Sequence, residues 1–432
     1  MLNLTNLHEK FTKHPLHKPF GEIHTLTGNT MISKGPICKI GDLCTVGEDH
    51  VPCEVISLKG SDVYLMPLIK TKKLSVRDKV ILKQNNVEIP PVQFLLGRTL
   101  NGLGFFIDGE KQDSFYPKIA VDLDRDAPDS MSRKRISTIL PTGIKAIDSM
   151  LTLGEGQRIG IFAGTGVGKS TLLGQIARYA KADVNVICLI GERGREVREF
   201  IEHDLGPEGL KRSVVIVATS DEQKLMQIKA AQLATSISEE FRNQGKKVLL
   251  MMDSITRFAK AREDIDKATG EIPDVNGKTP SMEPYMQRLL ERAGTNDRGS
   301  ITGIYTVLVD GDDFNGAIPD MARGILDGHI ILDRQIAQNN HFPAINVLNS
   351  VSRVMDKIVE KEQWDLVREV KKYMAIYKEK EQAIQIGAIP PGNREIDLAK
   401  ALYPIVNEFL KQNIYDSFEF EETIALLKQV IS

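Results

Sequence analysis

A glycine-rich stretch between two apolar segments carries the clearest chemical signal in this sequence. Glycines at alternate positions let a backbone turn tightly and point several N–H groups at one anion, and a following helix adds the positive end of its dipole. A lysine then neutralises the outer phosphates of a polyphosphate, and the adjacent hydroxyl binds the accompanying Mg²⁺. The pattern predicts a phosphate loop with these candidate contacts: Ala163, Gly164, Thr165, Gly166, Val167, Gly168, Lys169, Ser170 and Thr171.

One position of the phosphate loop departs from the strict pattern G-x-x-x-x-G-K-[ST]. Ala163 stands where the first glycine is usual, and a methyl group is tolerated there if φ is negative. The apolar run before the loop and the helical spacing in Leu172–Ala180 indicate a strand, a loop and a helix in succession. This context favours nucleotide binding over a chance glycine turn.

Two further apolar stretches lead to carboxylates. The stretch Lys247–Asp253 ends in an aspartate that fits a residue holding Mg²⁺ through its water shell. The stretch Val186–Glu196 contains Glu192, followed at once by Arg193. A carboxylate there could orient the water that attacks a terminal phosphate, and an arginine could offset charge on the leaving phosphate. The residues alone equally allow a helix start with a favourable glutamate.

The elements around these residues indicate a parallel sheet covered on both faces. Apolar runs alternate with helical stretches from the phosphate loop to about residue 350, which is typical of such a sheet. Ligands of parallel sheets bind at the carboxyl ends of the strands, where the loop, Glu192 and Asp253 would meet. The predicted strands are Gln157–Ala163, Val184–Ile190, Ser213–Ala218, Lys247–Asp253, Ser300–Val309 and Gly328–Leu332.

The flanking sequence predicts two more domains around an α/β domain at residues 93–355. Residues 20–92 hold short alternating runs broken by Gly, Asp and Asn, which indicate a small β-barrel. The expected barrel strands include Met31–Ser33, Ile37–Ile40, Cys53–Ile56, Asp62–Met66 and Lys79–Leu82. Residues 356–432 predict a helical domain with apolar residues at helical spacing in Glu360–Gln385, Asp397–Gln412 and Glu421–Ile431.

The first 19 residues form a candidate amphipathic helix. Leu4, Leu7 and Phe11 recur at spacings of three and four among basic residues. Such a helix could pack on its own domain or fray, or it could dock on a partner or a membrane surface.

Composition narrows the classes of function. The net charge of −2 gives no general attraction to nucleic acid or to anionic membranes. Tyr64 is the only aromatic residue between residues 21 and 91, so the barrel is a poor candidate for oligonucleotide binding. No apolar run approaches the roughly 18 residues that cross a bilayer, and the four cysteines include no C-x-x-C pair. We expect a cytoplasmic protein with reduced thiols.

Together these motifs resemble the hexameric ATPase family of the rotary ATP synthase catalytic subunits, most closely its flagellar protein-export and type III secretion ATPases. The stretches that carry the resemblance are Leu140–Asp148, Phe162–Ser170, Ile190–Phe200, Met252–Phe258 and Pro343–Arg353. Ala163 is similar to what the export branch uses. The resemblance implies an α/β, RecA-like P-loop ATPase core with a parallel sheet, a small N-terminal β-barrel and a C-terminal helical domain.

The resemblance also implies roles for individual residues. Glu192 falls where the catalytic carboxylate lies, and Arg193 and Arg257 match phosphate-side arginines. Phe342 matches the aromatic residue that stacks on adenine. Arg353 matches the arginine finger that a neighbouring subunit inserts, although the residues alone equally allow a structural arginine in a serine-rich turn. The implied catalytic residues are Glu192, Lys169, Arg353 and Arg193, and the implied Mg²⁺ ligands are Ser170 and Asp253.

The function implied by the resemblance is Mg²⁺-dependent ATP hydrolysis by a homohexamer that energises type III protein export during flagellum assembly. A virulence-type injectisome ATPase is the alternative. The implied partners are a negative regulator or stator on the N-terminal segment, membrane proteins of the export gate, export chaperones and substrates, with peripheral association at the inner face of the cell membrane and no nucleic acid. Two rivals are a hexameric RNA translocase and a structural subunit that binds nucleotide without hydrolysis, which Glu192 opposes.

Overall fold

The computed structural model describes residues 20–71, 73–83, 87–109, 118–275, 277–309, 311, 313–314, 316–390 and 392–431. The predicted amphipathic helix at residues 1–19 lies outside this range. Within the described part of the chain, no helix is long and apolar enough to cross a membrane.

A closed six-stranded barrel forms the first unit, as the alternating runs predict. Its strands are β1 (Phe20–Thr27), β2 (Thr30–Lys34), β3 (Leu43–Val46), β4 (Val51–Lys59), β5 (Asp62–Pro67) and β6 (Lys79–Leu82), in the order β1-β2-β5-β4-β3-β6. Alternate side chains fill its interior, and Ile23, Val55 and Leu65 are fully buried there.

One predicted barrel strand is wrong. Ile37–Ile40 lies in the connection between β2 and β3, and the side chain of Ile37 is 94% exposed. Pro36 has no N–H for a strand ladder, and Gly35 before it has a φ of +71° that turns the chain. The alternation of apolar residues therefore does not correspond to a buried face here.

A nine-stranded sheet forms the centre of the molecule. The strands after the barrel are β7 (Val87–Ile89), β8 (Thr99–Asn101), β9 (Ile119–Val121), β10 (Arg158–Ala163), β11 (Val184–Ile190), β12 (Ser213–Ala218), β13 (Lys247–Asp253), β14 (Gly294–Thr295), β15 (Ser300–Leu308), β16 (Gly328–Leu332) and β17 (Val351–Ser352). The order in the central sheet is β17-β16-β10-β15-β13-β11-β12-β8, with β14 paired to β15. The six predicted strands are all present, with ends that differ by at most one residue.

Both faces of the sheet are buried, which explains the continuous apolar runs. Along β11, Val186 and Ile187 belong to two different apolar clusters, because successive side chains point to opposite faces. β7 and β9 form a separate two-stranded sheet. β14 and β17 are antiparallel to their neighbours, and the other strand pairs of the central sheet are parallel.

The helices of the α/β domain cover the sheet. They are α1 (Lys145–Met150), α2 (Lys169–Tyr179), α3 (Gly194–Glu199), α4 (Gly206–Lys211), α5 (Lys224–Asn243), α6 (Ile255–Thr269), α7 (Met282–Leu290), α8 (Ala317–Ile325), α9 (Arg334–Gln338) and α10 (Met355–Ile358). A π-helical turn, Phe200–Leu205, joins α3 to α4, and short 3₁₀ turns occur at Val92–Leu95 and Ser130–Ser132.

Three C-terminal helices complete the chain and share a core with the α/β domain. They are α11 (Lys361–Gln385), α12 (Arg394–Leu410) and α13 (Phe420–Ile431), close to the predicted helices. Val367, Phe409 and Leu427 belong to the same apolar cluster as Leu172 of α2. The C-terminal helices are therefore packed against the elements that carry the phosphate loop.

Candidate active site

The phosphate loop connects the carboxyl end of β10 to the first residue of α2. Ala163 is the last residue of β10, fully buried and paired with Leu308 and Leu332, so its methyl group fits an extended backbone. Gly166 and Gly168 have φ values of +77° and +87°, which side chains rarely allow. Backbone conformation thus explains why position 163 accepts an alanine and why positions 166 and 168 are glycines.

A cavity of about 680 Å³ opens beside the phosphate loop. Its lining combines loop backbone with charged side chains from three strand ends, as expected at the carboxyl edge of a parallel sheet. The lining residues are Gly164, Thr165, Gly166, Gly168, Lys169, Ser170, Thr171, Gly191, Glu192, Arg193, Glu196, Ser220, Arg257 and Leu308.

One cation and two carboxylates form a cluster at this cavity. The Nζ atom of Lys169 lies 2.5 Å from Oδ1 of Asp253 and 3.4 Å from Oε1 of Glu192. Burial lowers the pKa of Lys169, but the two carboxylates outweigh burial and raise it. The lysine therefore stays charged and paired, as a buried cation requires.

Asp253 has a second partner that sequence reasoning missed. The hydroxyl of Thr306 on β15 donates to Oδ1 of Asp253 at 2.7 Å, and its side chain is fully buried. The pairing of Met252 with Tyr305 brings the ends of β13 and β15 together. A threonine in an otherwise apolar strand is the available signal, because a buried hydroxyl needs a partner.

Glu192 follows β11 and lies between the lysine and another carboxylate. Burial raises the pKa of Glu192; Lys169 opposes this, whereas Asp253 and a hydrogen bond with Glu196 raise the pKa further. The net shift is upward. A carboxylate with a raised pKa is a better proton acceptor near neutral pH.

Two arginines border the same cavity. Arg193 is exposed and donates from Nη1 to Oε1 of Glu196 at 2.9 Å. Arg257 lies in the first turn of α6, and its side chain packs on Gly191, where an added Cβ would lie 2.9 Å from Cγ of Arg257. Both arginines thus line the same cavity as Lys169 and Glu192.

Phe342 lies beside the phosphate loop rather than in the lining of the cavity. Its ring atoms are 3.5 Å from the position that a Cβ would take on Gly168, and its side chain is 40% exposed. The ring therefore presents a free apolar surface next to the last glycine of the loop.

Arg353 is not brought into the cavity of its own chain. It follows β17, whose Ser352 pairs with Gly328 at the amino end of β16, whereas Ala163 is level with Leu332 at the carboxyl end. Four strand residues separate these levels, which corresponds to about 13 Å. The guanidinium of Arg353 donates to the carbonyl of Arg323 at 3.1 Å.

The acidic residues near the loop do not form a complete metal cage. Across the described ranges, no group of three or more His, Cys, Asp or Glu side chains could hold a metal ion. The hydroxyl of Ser170 and the carboxylate of Asp253 are oxygen donors of the kind that Mg²⁺ takes when it keeps waters and binds substrate phosphates. The donor set therefore fits a Mg²⁺ ion that enters with a polyphosphate.

Comparison with known proteins decides the family. The ATP synthase alpha/beta family, nucleotide-binding domain, matches residues 143–352, and the T3SS EscN ATPase C-terminal domain matches residues 359–429. A flagellum-specific ATP synthase from Bacillus subtilis is 46% identical over 419 residues, which cover 95% of each chain. This chain belongs to the type III secretion branch of the ATP synthase alpha/beta family.

Other members of the family match over similar lengths. A type 3 secretion system ATPase from Xanthomonas euvesicatoria is 42% identical over 431 residues, covering 99% of this chain and 97% of the relative. The solved structure of the assembled ATPase EscN from the enteropathogenic E. coli type III secretion system superimposes with a TM-score of 0.91 at 40% identity, covering 95% of this chain and all of EscN. The similarity to EscN therefore extends over the barrel, the α/β core and the C-terminal helices.

Proposed function

We propose that this chain hydrolyses ATP with Mg²⁺ to drive type III protein export during flagellum assembly. The observation that carries the proposal is the cluster that Lys169 forms with Glu192 and Asp253 at the phosphate loop, beside a cavity that Lys169 and Glu192 line. Flagellum-specific relatives at 41–46% identity favour the flagellar system. A type 3 secretion system ATPase at 42% identity makes the injectisome the alternative.

In the proposed reaction a water attacks the γ-phosphorus in line with the bond to the leaving ADP. The new P–O bond forms to water oxygen, the bond to the β,γ-bridging oxygen breaks, and Glu192 accepts the proton of the water. The raised pKa of Glu192 suits this transfer. Ser170 and Asp253 would hold Mg²⁺, which would neutralise charge on the phosphate oxygens.

Lys169 has a further part in this proposal. Its Nζ atom is paired with both carboxylates, and phosphate oxygens of ATP are stronger competing partners because they carry more charge. A shift of Lys169 towards the β- and γ-phosphates releases Glu192 for the attacking water. Arg193 and Arg257, at the border of the cavity, then stabilise the charge of the departing phosphate.

Arg353 completes the site of a neighbouring subunit in this proposal. It lies at the opposite end of the sheet from the phosphate loop, so each chain carries both halves of a shared site. Identical chains arranged head to tail close into a ring in which every site is complete. We therefore propose a homohexamer as the active species.

The proposed partners follow from the export role. We propose membrane proteins of the export gate, export chaperones and their substrates as partners, with peripheral association at the inner face of the cell membrane. We propose residues 1–19 as the contact for a negative regulator or stator.

The first test measures ATP hydrolysis against protein concentration, with native mass determination on the same samples and Glu192→Gln as the control. The proposal expects specific activity to rise cooperatively as rings form, and the control to assemble without activity. Flat specific activity from a monomer would refute the shared site. Expression of this chain in Bacillus subtilis that lacks its own flagellum-specific ATP synthase tests the flagellar system. Recovery of motility supports that system, and absence of recovery with a folded, active chain favours the injectisome.

A further inference from the structure

A short segment of the C-terminal domain connects three parts of the nucleotide site. Gln412, between α12 and α13, is almost fully buried. Its side-chain Nε2 donates to the carbonyls of Gly143 at 2.8 Å and Asp416 at 2.9 Å, and its Oε1 accepts from the N–H of Lys145 at 2.9 Å. Both donor hydrogens and the acceptor of the amide are therefore in use.

The backbone of Gln412 contacts Phe342 directly. Its N–H donates to the carbonyl oxygen of Phe342 at 2.8 Å. His341, the residue before Phe342, is held to α12 by a hydrogen bond between its Nδ1 and Oδ1 of Asn407 at 3.0 Å. Two neighbouring residues are thus anchored to the C-terminal helices at the point where the Phe342 ring meets the phosphate loop.

The residues after Gln412 hold the helix that begins at the phosphate loop. Three side chains on one face of α2 donate to three consecutive carbonyls: Gln175 to Asn413 at 2.8 Å, Arg178 to Ile414 at 2.6 Å and Tyr179 to Tyr415 at 2.9 Å. We name residues 412–416 the clasp. The clasp fixes the aromatic ring and the phosphate-loop helix to one piece of backbone.

We propose that Gln412 is a positioning residue that sets the place of the Phe342 ring beside the phosphate loop and so governs the contribution of adenine to nucleotide binding. This inference rests on the proposed function and on the adenine-stacking role that the family resemblance implies for Phe342. The side chain of Gln412 fixes its own backbone, and that backbone N–H fixes Phe342. Gln412 itself is outside the lining of the cavity.

Loss of Gln412 is expected to affect binding of the base and binding of the phosphates differently. Lys169 and the loop backbone bind phosphates and have no hydrogen bond with the side chain of Gln412 among the contacts of the described residues. Loss of the Gln412 side chain is therefore expected to weaken binding of ATP and to spare binding of inorganic tripolyphosphate. A general loss of folding would weaken both ligands.

The experiment compares wild type, Gln412→Ala and Gln412→Glu as full-length proteins. Binding of MgATP and of magnesium tripolyphosphate is measured by calorimetry, so that no hydrolysis is needed. Gln412→Ala is expected to bind ATP about tenfold more weakly, the scale of one base–aromatic stacking contact, with tripolyphosphate affinity within about twofold of wild type. Gln382→Ala, at an exposed glutamine of α11, is the matched control and is expected to bind both ligands like wild type.

Gln412→Glu keeps the acceptor for Lys145 but places a buried carboxylate oxygen against the carbonyl oxygens of Gly143 and Asp416, so a loss of ATP affinity at least as large as that of Gln412→Ala is expected. Gln412→Met, which keeps the volume of the side chain without a charge, serves if the alanine variant does not fold and is expected to lose ATP affinity like Gln412→Ala. The double variant Gln412→Ala with Phe342→Ala is expected to bind ATP no more weakly than Phe342→Ala alone, because both changes remove the same contact, that of the Phe342 ring with adenine.

Several results would overturn the inference. Equal weakening of ATP and tripolyphosphate would show a merely structural role, and unchanged ATP affinity in Gln412→Ala would show that the ring is held without it. Additive losses in the double variant would also contradict the mechanism. Failure of wild type to bind ATP would instead refute the proposed function, so the two failures are distinguishable.

Discussion

The hydroxyl of Thr306 offers a sharp test of how the site holds its acidic residue. Thr306→Val keeps the shape of the side chain and removes two hydrogen bonds of a fully buried hydroxyl: one of 2.7 Å to Oδ1 of Asp253 and one of 3.3 Å to the carbonyl of Met252. The bond to the carboxylate is the shorter one and has a charged acceptor, so the main loss falls on Asp253.

The size of the effect follows from the remaining partners of Asp253. A hydrogen bond to a charged group contributes about 1.5–3 kcal/mol. Lys169 lies 2.5 Å from the same oxygen before ATP binds, and Mg²⁺ would replace it as the partner of Asp253 once Lys169 moves to the phosphates, so Asp253 stays paired and the low end applies. A loss of about 1.5 kcal/mol of transition-state stabilisation corresponds to a decrease of about tenfold in kcat/KM for ATP.

Steady-state ATP hydrolysis of assembled protein measures this loss, with Thr306→Ser expected to recover most of it. Thr302→Val is the matched control on the same strand: the hydroxyl of Thr302 accepts from the N–H of Gly156 at 2.9 Å and is four residues, or about 13 Å, from Thr306. This control is expected to lower the free energy of unfolding and to keep kcat/KM. Wild-type activity in Thr306→Val, or an equal loss in Thr302→Val, would refute the reasoning.

Three further variants test other contacts of the fold. Gln363→Ala removes a hydrogen bond to the hydroxyl of Thr152, and the carbonyl of Thr152 accepts from the hydroxyl of Ser352, the residue before Arg353. Because this change loosens the support of Arg353, steady-state kinetics are expected to show kcat about fivefold lower with KM for ATP unchanged. Ala163→Gly is expected to lower the free energy of unfolding by about 1 kcal/mol in urea titrations and to leave KM unchanged. Burial lowers the pKa of Lys371 to about 8. The unfolded chain therefore binds more protons between pH 8 and about 10.4, and urea titrations are expected to show wild type gaining up to about 3 kcal/mol relative to Lys371→Met over that interval.

The strands and the phosphate loop could be predicted from sequence because their signals are local. Buried parallel strands are continuous apolar runs, and the loop needs glycines at fixed spacing before a helix. The same reasoning failed at Ile37–Ile40, where apolar residues alternate in an exposed connection after Gly35 and Pro36. Apolar alternation alone does not report whether a face is covered.

The supporting contacts of the site could not be predicted because their partners are far apart along the chain. Thr306 and Asp253 are separated by 53 residues, and Gln412 and Gly143 by 269 residues. No spacing rule relates such residues, since only the sheet register and the packing of the C-terminal helices bring them together. The roles of Glu192 and Arg353 came from resemblance to a family, because their own neighbours in sequence allow structural roles as well.

The shared site is the central claim, and mixing two inactive variants tests it most directly. Lys169→Ala removes the phosphate lysine, Arg353→Ala removes the proposed finger, and each alone is expected to be nearly inactive. In rings reassembled from equal amounts, about a quarter of the sites combine an intact loop with an intact arginine from the neighbouring subunit. Such mixtures are expected to show about a quarter of wild-type ATP hydrolysis. Mixed rings seen by native mass determination that are no more active than either variant would contradict the shared site.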